Sequence, residues 1–420
     1  MELVVCINSG SSSVKVSVYG RAEGSPLLME WALAGLTSDR RTVSYKVFAD
    51  GAVVDKVKGC QVDCKDHDAA FQIFLDMATA GSDAHAPVIP DFKNVYAICH
   101  RIVHGGANPK PLKITTEVYN KLDELSDLAP LHNQRALDIV HSCIDRLGDA
   151  VTNVAFFDSS FHESIPRHIY TYPLDLKVQE HHKIRKFGFH GLSYSFITRS
   201  AATFLDKPVG DVNLVALHLG SGASACAIRH GRSLDTSMGL TPLEGLPGAT
   251  RSGSIDPSLM FHYHSDASRM SAASSTDLKL SVAEDIMNRH AGWSALTGTT
   301  DFGDIEKRAA GGDELCALAF DLFVNRVCNY VGSYFVALRG DVDALVFAGG
   351  IGEKSARFRA EVTGRLGFLG VELNADTNGQ AAQSDDVVVD VSAATARVKT
   401  LVVQTDEQLE MALEAHQLNL

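Results

Sequence analysis

One pattern occurs twice, half a chain apart, and it limits the available folds more than any bulk property does. An unbroken apolar run, Leu3-Val4-Val5-Cys6-Ile7, leads into Asn8-Ser9-Gly10-Ser11-Ser12-Ser13 and then into Val14-Lys15-Val16-Ser17-Val18. The first run reads as a strand buried on both faces, the last as an alternating strand, and the middle as a tight turn. The turn holds hydroxyls, an amide and Lys15, so it offers hydrogen-bond donors and almost no negative charge. A phosphate is its natural occupant; a plain hairpin with a Ser-rich turn is the alternative. The second copy is an apolar run at 214–217, the turn His218-Leu219-Gly220-Ser221-Gly222-Ala223-Ser224, and a strand at 225–228. Gly10 matches Gly220 and Ser11 matches Ser221, which points to an internal duplication with a ligand between the halves.

A chain of 420 residues exceeds one ordinary core and implies two domains. The formal charge of −13 argues against nucleic acid, whose phosphates need clustered Lys and Arg. No run of about 18 apolar residues exists, so no membrane span is expected. The start reads directly into a strand without a secretory pattern, and the eight cysteines fall mostly in apolar runs, so a reduced, cytoplasmic protein is expected. Cys60 and Cys64, with His67 nearby, lack the second pair of a zinc finger, and zinc is the less favoured reading.

Further strand signals lie at 26–36 and 42–58, and a helix at 66–78. A buried strand at 95–99 delivers His100-Arg101-Ile102-Val103-His104-Gly105-Gly106. Arg101, at the carboxyl end of that strand, is a structural ion or an anion hook, and the position favours the hook. Helices follow at 116–125 and 133–147, and the apolar loop at 128–133 between them, with Leu131 and His132, could form a pocket wall. A strand at 154–157 ends in Asp158, a common magnesium position and equally a common turn former. Regular period is lost over 161–172, a crossing into the second half. Lys186-Phe187-Gly188-Phe189-His190-Gly191-Leu192-Ser193 then precedes a helix expected to be capped by Ser193.

The longest stretch without periodicity, 235–257, is too apolar for disorder, and Arg251 is its only basic residue. A polar loop follows at 298–304, then a long helix at 313–338. A buried strand at 345–348 runs into Gly349-Gly350-Ile351-Gly352-Glu353 and a helix, which together make an anion site. The chain closes with a strand at 400–403 and a helix opening at Thr405-Asp406-Glu407, where the helix dipole favours Glu407 in any case. Three glycine turns on strand ends suit a nucleotide, two isolated arginines a small acid, and Asp158 with Glu407 a Mg²⁺ ion. Phosphoryl transfer asks mainly for alignment and charge neutralisation. A carboxylate acceptor, with a pKa of about 4.3, is already ionised at neutral pH and needs no general base.

The turn at 8–15, the segment 100–106, Phe157-Asp158 with Phe161-His162, Gly188-Phe189-His190-Gly191, and the segments 218–224, 235–239, 250–253 and 350–353 resemble the acetate kinase family, in order and over almost the whole chain. The resemblance implies an α/β chain with the duplicated ribonuclease H-like fold of acetate and sugar kinases, Hsp70 and actin. Residues 1–162 with 408–420 would form the N-terminal domain, residues 163–407 a C-terminal domain for nucleotide and dimer contact, and a ligand cleft would lie between the halves. It also implies a homodimer, ATP and ADP as co-substrates, Mg²⁺ or Mn²⁺, and reversible transfer from ATP to acetate, giving acetyl phosphate.

By matching motif positions, Arg101 and Arg251 would hold the acetate carboxylate and the moving phosphoryl group, with Asn8 and His190 donating to it. Asn8, Asp158 and Glu407 would hold the metal, and Ser11, Ser13 and Lys15 would shape the phosphate site. His218, Gly220, Ser221, Gly222, Asp301, Phe302, Gly303, Gly350, Ile351 and Gly352 would line the nucleotide pocket, and Val103, Leu131, Phe189 and Pro242 would face the acetate methyl. His132 matches the family's site as well. Four positions depart from the pattern: Ser221 for Asn, Gly303 for Arg, Lys354 for Asn and Ser254 for an acid. A looser purine site with an altered preference among ATP, GTP and other donors is therefore expected, while the glycine turn at 349–352 argues against pyrophosphate. A propionate or other short-chain acyl kinase is the alternative enzyme, and a nucleotide switch of the Hsp70 or actin type the alternative outside enzymes.

Overall fold

Apolar runs bounded by glycine and serine turns become the strands of two mixed sheets. The computed structural model describes residues 1–10, 12–106, 108–125, 130–264, 266–272, 274 and 280–418, the side chains of 125, 130–132 and 149 excepted. The chain divides into two units, Met1–Ser160 with Asp406–Leu420, and Phe161–Thr405. Relative to the sequence boundaries, Phe161 and His162 move to the second unit and Asp406 and Glu407 to the first. The His162 ring is bonded to Ser233 and to the Phe189 carbonyl of the second unit. The helix Glu407–Gln417 packs on the first strand of the first unit, where Gln408 donates to the Cys6 carbonyl.

In the first unit the strands are β1 (Leu3–Ser9), β2 (Ser13–Gly20), β3 (Leu27–Ala34), β4 (Thr42–Ala49), β5 (Ala52–Gln61), β6 (Val95–Ile102), β7 (Leu112–Lys113) and β8 (Asn153–Phe157). They lie in the order β5-β4-β3-β2-β1-β6-β8-β7. The single strand expected over 42–58 is two, because Asp50 and Gly51 both take positive φ and close a two-residue hairpin. The second unit has β9 (Leu214–Leu219), β10 (Ala223–Arg229), β11 (Arg232–Thr236), β12 (Ala344–Ala348), β13 (Val388–Asp390) and β14 (Lys399–Val403), in the order β11-β10-β9-β12-β14-β13.

The two sheets share one plan. In each, a three-strand antiparallel meander (β3-β2-β1, β11-β10-β9) continues into two parallel strands (β6-β8, β12-β14) and ends on an antiparallel edge strand. The duplication read from the two hairpins is thus present in the whole topology. The parallel strands β8 and β12 are buried at every position, as their unbroken apolar runs require. Their carboxyl ends are where polar side chains first become permissible, and Asp158 and the glycine turn at 349–352 sit there.

Two helical details differ from expectation. The apolar loop at 128–133 is, from Pro130 onward, the first turn of the helix Pro130–Leu147; proline fits there because the first helical N–H needs no partner. Ser11 and the loop residues 128 and 129 lie outside the described residues, as do the side chains of Leu131 and His132. Phe302 is not a loop aromatic but opens the helix Phe302–Ala310, with Asp301 as its cap. Its ring packs against Trp293, Phe320, Phe323 and Phe358 in the core of the second unit.

Two buried histidines make the fold acid-sensitive. His100 Nε2 donates to Asn153 Oδ1 at 2.9 Å, and His162 Nε2 donates to the Phe189 carbonyl at 2.9 Å. Burial pushes each pKa down to about 4. Between that value and the ordinary 6.5 or so the unfolded chain binds more protons than the native one, so stability falls as pH falls through this window. The expected loss is on the order of 3 kcal/mol per histidine by pH 4. Urea midpoints measured from pH 7.5 down to 4.5 check it; a flat profile contradicts it.

Candidate active site

In the first unit the strand register does the positioning. Because β1 and β6 pair in parallel with Ile7 opposite His100, Asn8 and Arg101 leave the sheet side by side. β6 and β8 pair with Ile102 opposite Phe157, which sets Asp158 next to Arg101. Arg101 Nε donates to Asp158 Oδ1 at 3.0 Å and Nη2 to Oδ2 at 2.7 Å, while Nη1 donates to Asn8 Oδ1 at 3.2 Å. Burial alone would weaken the Arg101 charge, but Asp158 and then Glu407 outweigh it and push the pKa above the ordinary guanidinium value. Of the five guanidinium N–H groups, three are used among the described residues, and one on each terminal nitrogen remains for an anion.

Sequence reasoning treated Arg101 and Asp158 as independent, one for an acid and one for a metal. They are instead a bidentate ion pair with Asp158 almost fully buried. The segment after β6 is held by reciprocal bonds, Asn133 Nδ2 to the His104 carbonyl and the His104 amide to Asn133 Oδ1, both 2.9 Å. Gly105 is obligatory there, since a Cβ would lie 2.3 Å from the Phe157 ring. Val103 follows β6 half-buried, Ser13 opens β2, and Lys15 lies opposite Asn8 with its side chain exposed.

In the second unit, His190 takes a left-handed conformation (φ 59°) ahead of the helix Gly191–Phe204. Ser193, expected as its cap, lies inside the helix and binds His218 Nδ1 and Thr405 Oγ1, both at 2.8 Å. The turn before His190 is fixed by His162, which the sequence motifs contained without a role. Gly188 closes over that ring so tightly that a Cβ would come within 2.6 Å of it.

Arg251 is carried by the long irregular segment. Its backbone is pinned from both sides, Gly248 N donating to the Arg251 carbonyl at 3.0 Å and Ala291 N to the Thr250 carbonyl at 3.1 Å. A methyl group placed on Gly222 would lie 3.3 Å from Arg251 Nη1 and 3.6 Å from His190 Nε2. The guanidinium, the imidazole and the second glycine turn therefore face one small space. Among the described residues no carboxylate or other acceptor meets the Arg251 side chain, and burial pulls its pKa down to about 10. A cation kept charged at neutral pH, half-buried and given no counter-charge among the described residues is the signature of an anion site.

Beside this space lies a cavity of about 470 Å³ lined by Gly220, Ser221, Trp293, Thr300, Asp301, Phe302, Gly303, Glu306, Gly350, Ile351, Lys354 and Ser355. Seven of the sequence candidates are in this lining; Trp293, Thr300, Glu306 and Ser355 were not foreseen. Gly352, expected in the lining, packs instead against the backbone of Phe347 at the end of β12. Beneath the glycine turn the fully buried Arg359 donates to the carbonyls of Gly352 and Glu353 and to Asn378 Oδ1, which holds the turn from below. Phe189 is buried in the same unit, and Pro242 lies in the segment leading to Arg251.

Two units on one strand plan, with glycine turns at the carboxyl ends of their parallel strands, define a kinase of the fold shared by actin, Hsp70 and the sugar kinases. The chain belongs to the acetokinase family, whose model matches residues 3–413. It is 47% identical to the probable acetate kinase of Neurospora crassa, over 98% of this chain and 93% of that one. Its structure is similar to the crystal structure of Porphyromonas gingivalis acetate kinase (TM-score 0.82, 30% identity, 99% of each chain). It is similarly close to a propionate kinase from Francisella tularensis (TM-score 0.84, 30% identity, 99% of each chain). No described helix is long and apolar enough to cross a membrane.

Proposed function

We propose that this chain moves the terminal phosphoryl group of ATP to acetate, giving acetyl phosphate and ADP, in one reversible in-line step. The carboxylate oxygen forms the new bond to phosphorus while the bond to the bridging oxygen of ADP breaks, and no proton need be removed from the acceptor. The observation that carries the reading is Arg251, a half-buried guanidinium with no counter-ion among the described residues, facing the same small space as His190 Nε2. In that role Arg251 neutralises charge on the equatorial oxygens as it spreads in the transition state, and His190 donates a hydrogen bond to one of them. Arg101, oriented by Asp158, offers its two remaining N–H groups to the carboxylate, and Asn8 lies beside them. Val103, Leu131, Phe189 and Pro242 would bound the acetate methyl, with propionate a poorer substrate, since one methylene is worth only about 1–3 kcal/mol. Ser11, Ser13 and Lys15 would complete the phosphate surroundings, and the cavity beside Gly220 and Gly350 would take the nucleotide.

Initial rates with ATP, GTP and other triphosphates against acetate, propionate and butyrate, with acetyl phosphate trapped as its hydroxamate, test the reading. A protein that hydrolyses ATP without forming hydroxamate is a switch, and a higher kcat/KM for propionate makes it a propionate kinase. Ser221, Gly303 and Lys354 line or border the cavity, so donors other than ATP should be used as well; a strong, unshared ATP preference counts against the looser site.

The donor chemistry suits Mg²⁺ or Mn²⁺. Each Asp158 oxygen accepts one bond from Arg101 and keeps a lone pair, and Glu407 and Asn8 add oxygens. Among the described residues no group of three or more His, Cys, Asp or Glu could hold a metal, so phosphate and water oxygens must complete the shell. A metal held there would neutralise phosphate charge. Calorimetry should therefore find Mg²⁺ binding weak without nucleotide and at least about tenfold tighter with ADP; equal affinity in both contradicts it.

We also infer a homodimer in a reducing cytoplasm. No disulfide joins the cysteines, and six of the eight are buried. Leu315, Leu318 and Leu322 recur at helical spacing on Glu314–Ala337 and stand 54%, 52% and 36% exposed, an apolar stripe suited to a second copy. Leu318→Glu with Leu322→Glu should convert the protein to a monomer in sedimentation; an unchanged dimer removes this helix from the interface.

A further inference from the structure

The His190 ring is held by a chain of two hydroxyls, that of Ser224 at the end of the second glycine turn and, behind it, that of Tyr194, which belongs to none of the motifs. Its Nδ1 lies 2.8 Å from Ser224 Oγ, and Ser224 Oγ lies 2.6 Å from Tyr194 Oη. The ring plane is fixed by stacking on His218, with centroids 4.2 Å apart and planes 29° apart. Tyr194 and Ser224 are completely buried, so each hydroxyl proton must find an acceptor inside the protein.

That requirement sets the direction of every proton in the chain. Tyr194 Oη meets the backbone N–H of His218 and the hydroxyl of Ser224. The first is a donor, so the tyrosine proton goes to Ser224 Oγ. The serine proton is then left for His190 Nδ1, the remaining partner of that oxygen. With Nδ1 accepting, the neutral imidazole carries its proton on Nε2, the atom that faces Gly222 and Arg251. The opposite direction would leave the tyrosine O–H buried without an acceptor.

We propose that Tyr194 and Ser224 are positioning residues that lock His190 in the Nε2–H tautomer, so that it meets the moving phosphoryl group as a neutral hydrogen-bond donor. The inference rests on the reading of His190 given above, and it adds a restriction. With a proton on Nε2 and a hydrogen bond into Nδ1, neither nitrogen has a lone pair to attack phosphorus or to accept a proton from substrate.

The test is nitrogen NMR of the full-length protein labelled with ¹⁵N-histidine, at about pH 8, above the ordinary imidazole pKa of about 6.5. The His190 signals are identified by their loss in His190→Gln. The expected result is a protonated, pyrrole-like Nε2 and a pyridine-like Nδ1. In Ser224→Ala and in Tyr194→Phe, which removes a single oxygen, the preference should relax toward Nδ1–H. Their kcat should fall on the order of ten- to a hundredfold with little change in the nucleotide KM, and Ser224→Thr should recover most of it. A wild-type ring protonated on Nδ1, variants that keep the Nε2–H form, or a changed tautomer with unchanged kcat each overturn the proposal. Because the tautomer is read without substrate, a protein that makes no acetyl phosphate would overturn the functional reading and leave this measurement standing.

Discussion

Arg251→Ala should lower kcat on the order of a thousandfold and leave the melting temperature unchanged or slightly raised. The catalytic half follows from what the charge is asked to do. A guanidinium held out of water next to developing phosphoryl charge is worth about 4 kcal/mol in the transition state, which is about three decades in rate. The stability half follows from the absence of an acceptor for the side chain among the described residues. Folding takes this charge from solvent and gives no ion pair in return, so its removal relieves a desolvation cost. Stopped-flow or steady-state rates and a melting curve on the same sample check both halves. Turnover within about tenfold of wild type would remove Arg251 from the reacting centre. A large drop in melting temperature would show that its role is structural.

Arg101→Ala should lose as much activity and, unlike Arg251→Ala, should also lose stability. On the sequence alone the two arginines were alike, isolated cations suited to a small acid. The bidentate pair with Asp158 changes that expectation for Arg101: truncation leaves a carboxylate of 1% relative exposure with its cation gone. Breaking one partner out of such a buried pair costs about 3–5 kcal/mol. The double variant Arg101→Ala with Asp158→Asn should recover most of that stability and none of the activity, because it removes the stranded charge without restoring the hook. Denaturant titration of the two single variants and the double variant measures the coupling. Additive effects on stability would mean that the pair seen here contributes little.

The fold was legible where local sequence dictates burial. Runs such as residues 3–7, 154–157 and 345–348 can only be strands covered on both faces, and each run stops within two residues of the strand's end. The same logic put Asn8, Asp158, Gly220 and Gly349 at strand ends, and family motifs supplied roles for them. What was not legible were pairings across long separations. Arg101 and Asp158 are 57 residues apart, and His162 reaches Ser233 across 71. Phe302 looked like a loop aromatic in a polar segment, yet Asp301 caps a helix there and turns the ring into the core.

The elements, the duplication and the stations at which chemistry can occur could thus be read from local order, because alternation, apolar run length and glycine turns are properties of neighbouring residues. What each station faces is a matter of long-range packing. Parallel strand register put a counter-ion against one arginine, an irregular segment carried the other to a place with no acceptor among the described residues, and two buried hydroxyls set the proton on His190. Each of these depends on which distant strands lie side by side, and no local period encodes that choice.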